Sequence, residues 1–221
     1  MNRVDDIWAV VPVKEFAEAK QRLSDALSAE QRQILAAAML EDVLSVLASV
    51  RGLAGIVVVT RDDRARVLAE RVGARIIAEG ARTGQTEAVA SVARVLAREG
   101  RGGMLTVPAD VPLVSTDEVN AILARHGAPP AFTIVPAHDS RGSNAILCSP
   151  PDVVPLRFGD DSFLPHLAAA RRMGIEPTIL PLPGIALDID QPADLERLVR
   201  AGQSRPSQTF ALLAKANATS D

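Results

Sequence analysis

The strongest constraint on the fold is the alternation of apolar runs with segments of helical periodicity. Seven nearly continuous apolar runs begin at Ile7, Gly55, Ala74, Gly103, Ala131, Ser143 and Pro177. Such runs are typical of strands that are covered on both faces. Between the earlier runs, apolar residues recur at helical spacing in segments 29–50, 62–72, 86–99 and 115–126. This alternation predicts a three-layer α/β fold, Rossmann-like, with a mostly parallel central sheet flanked by helices.

The length of 221 residues fits one α/β domain, which we assign to residues 1–202. After Ala131 the rhythm changes, because two strand-like runs are separated only by "HDSRG" and are followed by "RFGDDSFLPHLAAARRMG". We expect this portion to form a small inserted lip over the site. The tail, residues 203–221, is rich in Ser, Ala, Gln and Thr, and we expect it to carry no chemistry and to be partly disordered.

Charge and hydropathy exclude several classes of partner. A formal charge of −3 and a pI near 5.7 disfavour duplex nucleic acid, so an anionic partner would be small and held in a local pocket. No apolar stretch approaches the roughly 18 residues of a membrane span, and no signal peptide is recognisable, which predicts a cytoplasmic location. The single cysteine, Cys148, lies in an apolar run and is interpreted as a buried hydrophobic residue.

Two lysines flank the turn that follows the first predicted strand. The chain contains 21 arginines and only three lysines, yet Lys14 and Lys20 both fall in this turn. A compact ammonium on a flexible stem suits a phosphate group, and Arg22 could join the pair. The alternative is a pair of ordinary surface lysines at a solvated helix start. The absence of a Walker-type glycine loop argues against a P-loop fold.

Aspartates follow two later apolar segments. Asp110 ends the run "GMLTVPAD", at the edge of the sheet where ligands of α/β proteins bind. In "ALDIDQPADL", an extended backbone would place Asp188 and Asp190 on the same face, as hard oxygen ligands for a divalent cation. The alternative interpretation of Asp110 is a turn residue before a proline, and that of Asp190 is a helix cap.

Two polar loops could hold a second substrate. "SRGSNA" places Ser143 and Asn144 just before an apolar strand, and "RFGDDSF" places Gly159 and Ser162 at a helix start. A helix start with a glycine and a hydroxyl suits a phosphate or a carboxylate. The alternative is plain N-capping by Ser162. His166, one turn further along, shows only a weak sign of a catalytic role.

Five motifs, in this order, resemble the guanylyltransferase family of deazaflavin coenzyme biosynthesis: "VPVKEFAEAKQRL", "VPADVPL", "RGSNA", "RFGDDSF" and "LDIDQPADL", which together span residues 11–195. Members of this family are the 2-phospho-L-lactate and phosphoenolpyruvate guanylyltransferases. The resemblance implies a nucleotidyltransferase fold, with GTP, Mg²⁺ and a phosphorylated three-carbon acid as ligands. A related acid such as 3-phosphoglycerate is a further candidate acceptor.

The resemblance also implies roles for individual residues. Lys14 and Lys20 match lysines of the family's first loop, and Asp110 joins them as a candidate catalytic residue. Candidate metal ligands are Asp110, Asp188 and Asp190; candidate acceptor-binding residues are Arg22, Ser143, Asn144, Gly159 and Ser162; candidate nucleotide-binding residues are Val11, Pro12, Val13, Lys14 and Gly84.

One segment departs from the family pattern and leaves alternatives open. Where the family commonly has "GLNAA", this chain has "GQTEA" from Gly84 to Ala88, so Thr86 stands in place of the asparagine. A cytidylyl or molybdopterin-type nucleotidyltransferase, or a nucleotide-binding module without turnover, therefore remains an alternative. A second copy of the chain, in a homodimer, and a downstream transferase that accepts the product are the candidate protein partners.

Overall fold

The computed structural model describes residues 6–78, 80, 84–202 and 207–218, and a seven-stranded sheet runs through its centre. The strands are β1 (Ile7–Pro12), β2 (Leu53–Val59), β3 (Arg75–Ile77), β4 (Gly103–Thr106), β5 (Ala131–Pro136), β6 (Ser143–Ser149) and β7 (Thr178–Ile179). Each strand falls on one of the seven predicted apolar runs, which confirms those predictions, although β2 begins at Leu53, two residues before the predicted run.

The sheet is mixed and mostly parallel, with the order β3-β2-β1-β4-β6-β5-β7. β1 pairs in parallel with β2 and β4, β2 with β3, and β5 with β7. β6 is antiparallel to both β4 and β5. The two strands that we expected to form an inserted lip thus belong to the main sheet, because β6 fills the space between β4 and β5. Residues 137–142 connect β5 to β6.

Helices cover both faces of the sheet. They are α1 (Ala29–Ser49), α2 (Asp63–Arg71), α3 (Gln85–Arg98), α4 (Thr116–Arg125), α5 (Phe163–Arg172), α6 (Pro183–Ala186), α7 (Pro192–Gly202) and α8 (Gln208–Ala218). The four helices predicted from periodicity are confirmed as α1 to α4. Their starts follow from local chemistry: Ser28 with Gln31 and Ser115 with Glu118 form reciprocal capping boxes, which satisfy backbone N–H groups at the first turn.

The sheet is buried on both faces, which explains why its strands lack an alternating pattern. Along β1, Ala9 and Val11 pack into the core beneath α1, whereas Val10 packs into a second cluster beneath α3. All three side chains are fully buried. No described helix has both the length and the apolarity needed to cross a bilayer.

Within the tail, residues 208–218 form α8, which packs on α1. Asp42, buried in the middle of α1, accepts hydrogen bonds from the backbone N–H groups of Gln208 (2.8 Å) and Thr209 (3.0 Å). This carboxylate therefore caps the first turn of α8. Our prediction of partial disorder otherwise concerns residues 203–206 and 219–221, which lie outside the described residues.

Candidate active site

A cavity of about 940 Å³ opens where β1 and β4 end. Its lining includes nearly all of the predicted site residues: Pro12, Val13, Lys14, Lys20, Arg22, Gly84, Asp110, Ser143, Asn144, Gly159, Ser162, Asp188 and Asp190. The exception is Val11, whose side chain is fully buried in the core. The cavity lies at the carboxyl edge of the parallel strands, as expected for an α/β sheet.

The reversed direction of β6 brings its first residues to this same edge. Ser143 and Asn144 begin β6, whereas Asp110 follows the end of the neighbouring β4. Both residues of β6 are buried, with exposed fractions of 8% and 7%. The residues that follow β4 and the first residues of β6 therefore lie at the same edge of the sheet.

Lys20 lies between two of the predicted metal ligands. Its Nζ donates to Asp110 Oδ2 at 2.5 Å and to Asp190 Oδ1 at 2.8 Å, and only 8% of its side chain is exposed. The backbone of Lys20 is left-handed, with φ of 53°, a conformation that costs a residue with a Cβ about 1–2 kcal/mol. The loop thus adopts a costly conformation at the residue whose ammonium joins the two carboxylates.

The charged side chains around Lys20 shift one another's pKa values. Burial by itself lowers the pKa of Lys20, but the charges of Asp110 and Asp190 and their hydrogen bonds outweigh it and raise the pKa. Burial raises the pKa of Asp190, but Lys20, followed by Arg22 and Lys14, outweighs burial and lowers it. Lys20 is therefore a cation and Asp190 an anion at neutral pH.

Asp188 is oriented by Asn144. The Nδ2 group of Asn144 donates to Asp188 Oδ1 at 3.0 Å and to the carbonyl oxygens of Ile185 (2.9 Å) and Ala186 (3.0 Å). Burial raises the pKa of Asp188, an effect that the hydrogen bond from Asn144 opposes. The amide nitrogen of Asn144, which we predicted to bind substrate, is thus occupied in holding the backbone before Asp188 and one oxygen of its carboxylate.

The backbone around Asp188 and Asp190 agrees with the predicted alternation. Leu187 and Ile189 are buried, at 7% and 0% exposure, whereas the two aspartates line the cavity. Asp194, in the first turn of α7, accepts through Oδ2 from the backbone N–H groups of Asp190 (3.2 Å) and Gln191 (2.9 Å), which precede the helix. The carboxylate of Asp190 is therefore not the helix cap and points to Lys20 instead.

Asp110, Asp188 and Asp190 offer carboxylate oxygens that suit a hard divalent cation, but their side chains are not arranged as a preformed metal site. Across the described residues, no group of three or more His, Cys, Asp or Glu side chains has the geometry of a metal site. The ammonium of Lys20 lies where Asp110 and Asp190 would share a cation. Carboxylate oxygens suit Mg²⁺, so the residues fit this ion provided that Lys20 moves aside.

The first loop also presents two exposed cations to the cavity. Lys14 is exposed and, among the described residues, has no hydrogen-bonded or ion-paired partner. Arg22 Nη2 contacts Asp160 at 3.3 Å, and Arg22 Nη1 lies 3.8 Å from Asp190. Sequence reasoning missed the anchor of this loop, Asp62, whose carboxylate accepts from the backbone N–H of Phe16 at 2.8 Å.

The loop before α5 faces the lysines across the cavity. Ser162 stands at the N-cap position of α5, but its hydroxyl makes no capping bond and donates to Ser143 Oγ at 3.3 Å. The N-capping alternative for Ser162 is therefore wrong. Arg141 Nε donates to Asp161 at 2.7 Å and ties this loop to the loop that precedes β6.

Two further side chains hold the same loop and were not assigned from the sequence. His166 Nε2 accepts from the backbone N–H of Arg157 at 2.9 Å, and Thr86 Oγ1 accepts from that of Phe158 at 3.0 Å. For His166 a signal existed, because its spacing from Leu167 and Ala170 places it on the buried face of α5. Only the departure from the family pattern drew attention to Thr86, and it gave no partner.

Comparison with known proteins gives a consistent family. The family described as "Guanylyl transferase CofC like" matches residues 7–216. The chain is 37% identical over 202 residues to the phosphoenolpyruvate guanylyltransferase of Rubrobacter xylanophilus, covering 90% of this chain and 98% of that protein. It is 34% identical over 189 residues to the 3-phospho-D-glycerate guanylyltransferase of Colwellia psychrerythraea, covering 86% and 89%. It is 30% identical over 202 residues to the 2-phospho-L-lactate guanylyltransferase of Methanothermobacter thermautotrophicus, covering 91% and 88%.

Solved structures share the fold at low identity. A protein from Desulfovibrio desulfuricans, provisionally named a nucleotide-diphospho-sugar transferase, has a TM-score of 0.74 at 21% identity and covers 96% of both chains. A 4-diphosphocytidyl-2C-methyl-D-erythritol synthase has a TM-score of 0.60 at 16% identity and covers 88% of this chain and 96% of that chain. These likenesses show a nucleotidyltransferase-like fold with helices on both faces of a mixed sheet.

Proposed function

Because the chain belongs to the CofC-like guanylyl transferase family, we propose that it transfers GMP from GTP to the phosphate of a phosphorylated three-carbon acid. The observation that carries this proposal is that a single cavity combines lysines, three aspartates and a hydroxyl-lined loop. The relatives named above act on phosphoenolpyruvate, 3-phospho-D-glycerate and 2-phospho-L-lactate. These three acids are the acceptors that we propose.

The lysine side of the cavity is assigned to the triphosphate. Lys14 is exposed beside the end of β1, and its side chain makes no hydrogen bond or ion pair with the described residues, although its charge acts on Asp190. It can therefore meet a phosphate without breaking a direct contact. Pro12, Val13 and Gly84 line the same side, and Gly84 precedes the first residue of α3. Nucleotide phosphates placed here would meet a cation and the N–H groups of a helix start.

Mg²⁺ is assigned to the aspartates. Asp110, Asp188 and Asp190 would hold the ion, and Lys20, freed from Asp110 and Asp190, would carry its charge toward the phosphates. When bound, the ion supplies charge neutralisation and alignment of phosphate oxygens. Asn144 keeps Asp188 facing the cavity, which is the contribution we assign to it.

The acceptor is assigned to the loop before α5. Ser143 and Ser162 are buried hydroxyls that line the cavity, with Gly159 and Arg22 nearby on the lining. The hydroxyl of Ser143 and the guanidinium of Arg22 are donors that suit the oxygens of a small acid that carries a phosphate and a carboxylate.

The reaction is a displacement at phosphorus. An oxygen of the acceptor phosphate forms a bond to the α-phosphorus of GTP, the bond from that phosphorus to the bridging oxygen breaks, and pyrophosphate leaves with the electron pair. The nucleophile is already anionic, so no general base is needed. Cys148 and His166 are also poorly suited to act as a general base. Burial raises the pKa of Cys148 to about 12 and lowers that of His166 to about 4.

We place the activity in deazaflavin coenzyme biosynthesis, where the product would be a guanylylated diphosphate. Such a product is an activated phosphoanhydride, so a transferase that consumes it is the partner class we propose. A homodimer is also compatible with the proposal. We assign the protein to the cytoplasm because its proposed substrates are intracellular metabolites.

The test is pyrophosphate release with matched substrates. The full chain is mixed with GTP, Mg²⁺ and each of the three acids in turn, and the product is identified by mass spectrometry. We expect a GMP adduct with at least one acid and loss of turnover in EDTA. CTP replaces GTP in a parallel series. Greater turnover with CTP would support a cytidylyl transferase instead, and nucleotide binding without turnover would support a binding module.

A further inference from the structure

His166 is buried among the residues assigned to the acceptor. It lies in α5, and only 1% of it is exposed. Its Nδ1 is 2.9 Å from Ser143 Oγ, and its Nε2 is 2.9 Å from the backbone nitrogen of Arg157. Its ring and that of Phe158 pack edge to face, with 5.3 Å between ring centroids. One imidazole therefore joins the start of β6 to the loop before α5.

The partner of Nε2 determines the tautomer. The backbone nitrogen of Arg157 can only donate, so Nε2 must accept and carries no proton. A neutral imidazole then carries its proton on Nδ1, which donates to Ser143 Oγ. Burial lowers the pKa of His166 to about 4, so the ring stays neutral near pH 7.

The tautomer in turn fixes the role of the Ser143 hydroxyl. Ser143 Oγ accepts from His166 and also from Ser162, at 3.3 Å. A hydroxyl oxygen has two lone pairs and one proton, and both lone pairs are now engaged. Among the contacts of the described residues, none takes the proton of Ser143, and Ser143 lines the cavity. The hydroxyl is thereby left as a donor.

We propose that His166 is a positioning residue that holds the Ser143 hydroxyl as a hydrogen-bond donor to the anionic acceptor. This inference rests on the proposed function, because it assigns the Ser143 side of the cavity to the phosphorylated acid. An anion needs donors, and a serine without the Nδ1–H of His166 could turn its proton toward the histidine instead. The imidazole excludes that orientation by donating to the oxygen.

Two substitutions separate the contacts of the imidazole. In His166→Asn, the amide nitrogen takes the place of Nδ1 and can still donate to Ser143, but the acceptor for Arg157 is lost. In His166→Gln, the amide oxygen takes the place of Nε2 and can still accept from Arg157, but the donor to Ser143 is lost. His126→Gln is the matched control, because His126 is also buried and its Nδ1 contacts a hydroxyl, that of Thr133 at 2.9 Å, outside the cavity lining.

The measurement is the KM of each substrate by pyrophosphate release. We expect His166→Gln to raise the KM for phosphoenolpyruvate, or whichever of the three acids is used, by about three- to tenfold, the scale of one lost hydrogen bond. His166→Asn should stay within about threefold of the unmodified protein, and the KM for GTP should be unchanged in both. The control should leave both KM values unchanged. Equal acceptor KM values for the two His166 variants would overturn the inference.

A second readout does not depend on the variants folding. Nitrogen-15 NMR of the unmodified protein at pH 7 should show a one-bond coupling to a proton at Nδ1 of His166 and none at Nε2. A proton on Nε2 would overturn the inference even if the enzyme is active. Absence of turnover with all three acids would instead refute the proposed function, and the role of His166 toward an acceptor would fall with it.

Discussion

Thr86 accepts a hydrogen bond at 3.0 Å from the backbone N–H of Phe158, although the two residues are 72 positions apart in the chain. Thr86 lies in the first turn of α3, two residues after Gly84, and Phe158 lies in the loop before α5. The helix that begins on the nucleotide side of the cavity is thus joined to the loop on the acceptor side.

Thr86→Val removes this hydroxyl while keeping the shape of the side chain. We expect the acceptor KM to rise by about two- to tenfold, because the loop that carries Gly159 and Ser162 loses one of its anchors. Thr86→Ser keeps a hydroxyl and should resemble the unmodified protein. The KM for the acid, measured at saturating GTP, checks this expectation, and equal values for the two variants would contradict it.

Lys14→Ala tests the assignment of the triphosphate. Lys14 is exposed and has no described partner, so its loss should change the free energy of unfolding by no more than about 0.5 kcal/mol. If Lys14 binds phosphate, kcat/KM for GTP should fall about tenfold or more, the scale of a lost charge-assisted bond. Lys14→Arg should restore only part of this. Glu15→Ala, at the exposed neighbouring residue, is the control. An equal fall in kcat/KM for GTP in Glu15→Ala would contradict a specific role of Lys14 in phosphate binding.

Lys20→Met tests whether the ammonium and the divalent cation compete. The buried lysine bridges Asp110 and Asp190, so its removal in EDTA should lower the free energy of unfolding by about 1 to 3 kcal/mol. This is less than for a fully buried pair, because the aspartates are partly exposed. Mg²⁺ should then stabilise the variant more than the unmodified protein, since ions that bind the folded state stabilise it. Urea unfolding with and without Mg²⁺ measures both effects, with Lys14→Met as control. An identical response to Mg²⁺ in all three proteins would contradict competition.

The buried histidines predict how stability depends on pH. Burial lowers the pKa of His126 and that of His166 from 6.5 to about 4 in the folded protein. Between these two pH values the unfolded chain binds protons that the folded chain does not, so stability falls as pH falls. The slope is at most about 1.4 kcal/mol per pH unit for each histidine.

Urea unfolding at pH 7, 6 and 5 checks this slope. His126→Asn should be less stable than the unmodified protein at pH 7 but should lose stability less steeply, because one of the two histidines no longer titrates. A slope in His126→Asn equal to that of the unmodified protein would contradict the neutral state of His126.

Most of the fold could be predicted because it depends on signals that are local in the sequence. The capping box of Ser115 and Glu118 marks the start of α4 directly. The direction of β6 has no such local signal, because a continuous apolar run is compatible with both parallel and antiparallel pairing. We therefore predicted a lip where β5 and β6 belong to the main sheet. Asp42, an acidic residue on the apolar face of α1, was not singled out in the sequence, and its partner is the first turn of α8.

Most residues that line the cavity could be predicted from the sequence, but the contacts among them could not. Residue type and order were enough to gather Lys14, Lys20 and Asp110 into one cavity. Which carboxylates Lys20 would meet depends on a left-handed backbone and on chain 170 residues away. The same is true of Asn144, whose amide nitrogen holds Asp188 rather than facing the acceptor.

The contact between Thr86 and Phe158 also limits how acceptor specificity could be transferred from one relative to another in a chimera. The residues assigned to the acceptor, with the exception of Arg22, fall in one stretch of chain from Ser143 to His166, so this stretch could in principle be exchanged between relatives as a single block. Thr86 lies outside the block yet holds its loop. A chimera built from the block alone would inherit an anchor suited to another loop, so α3 and the acceptor segment have to be exchanged together.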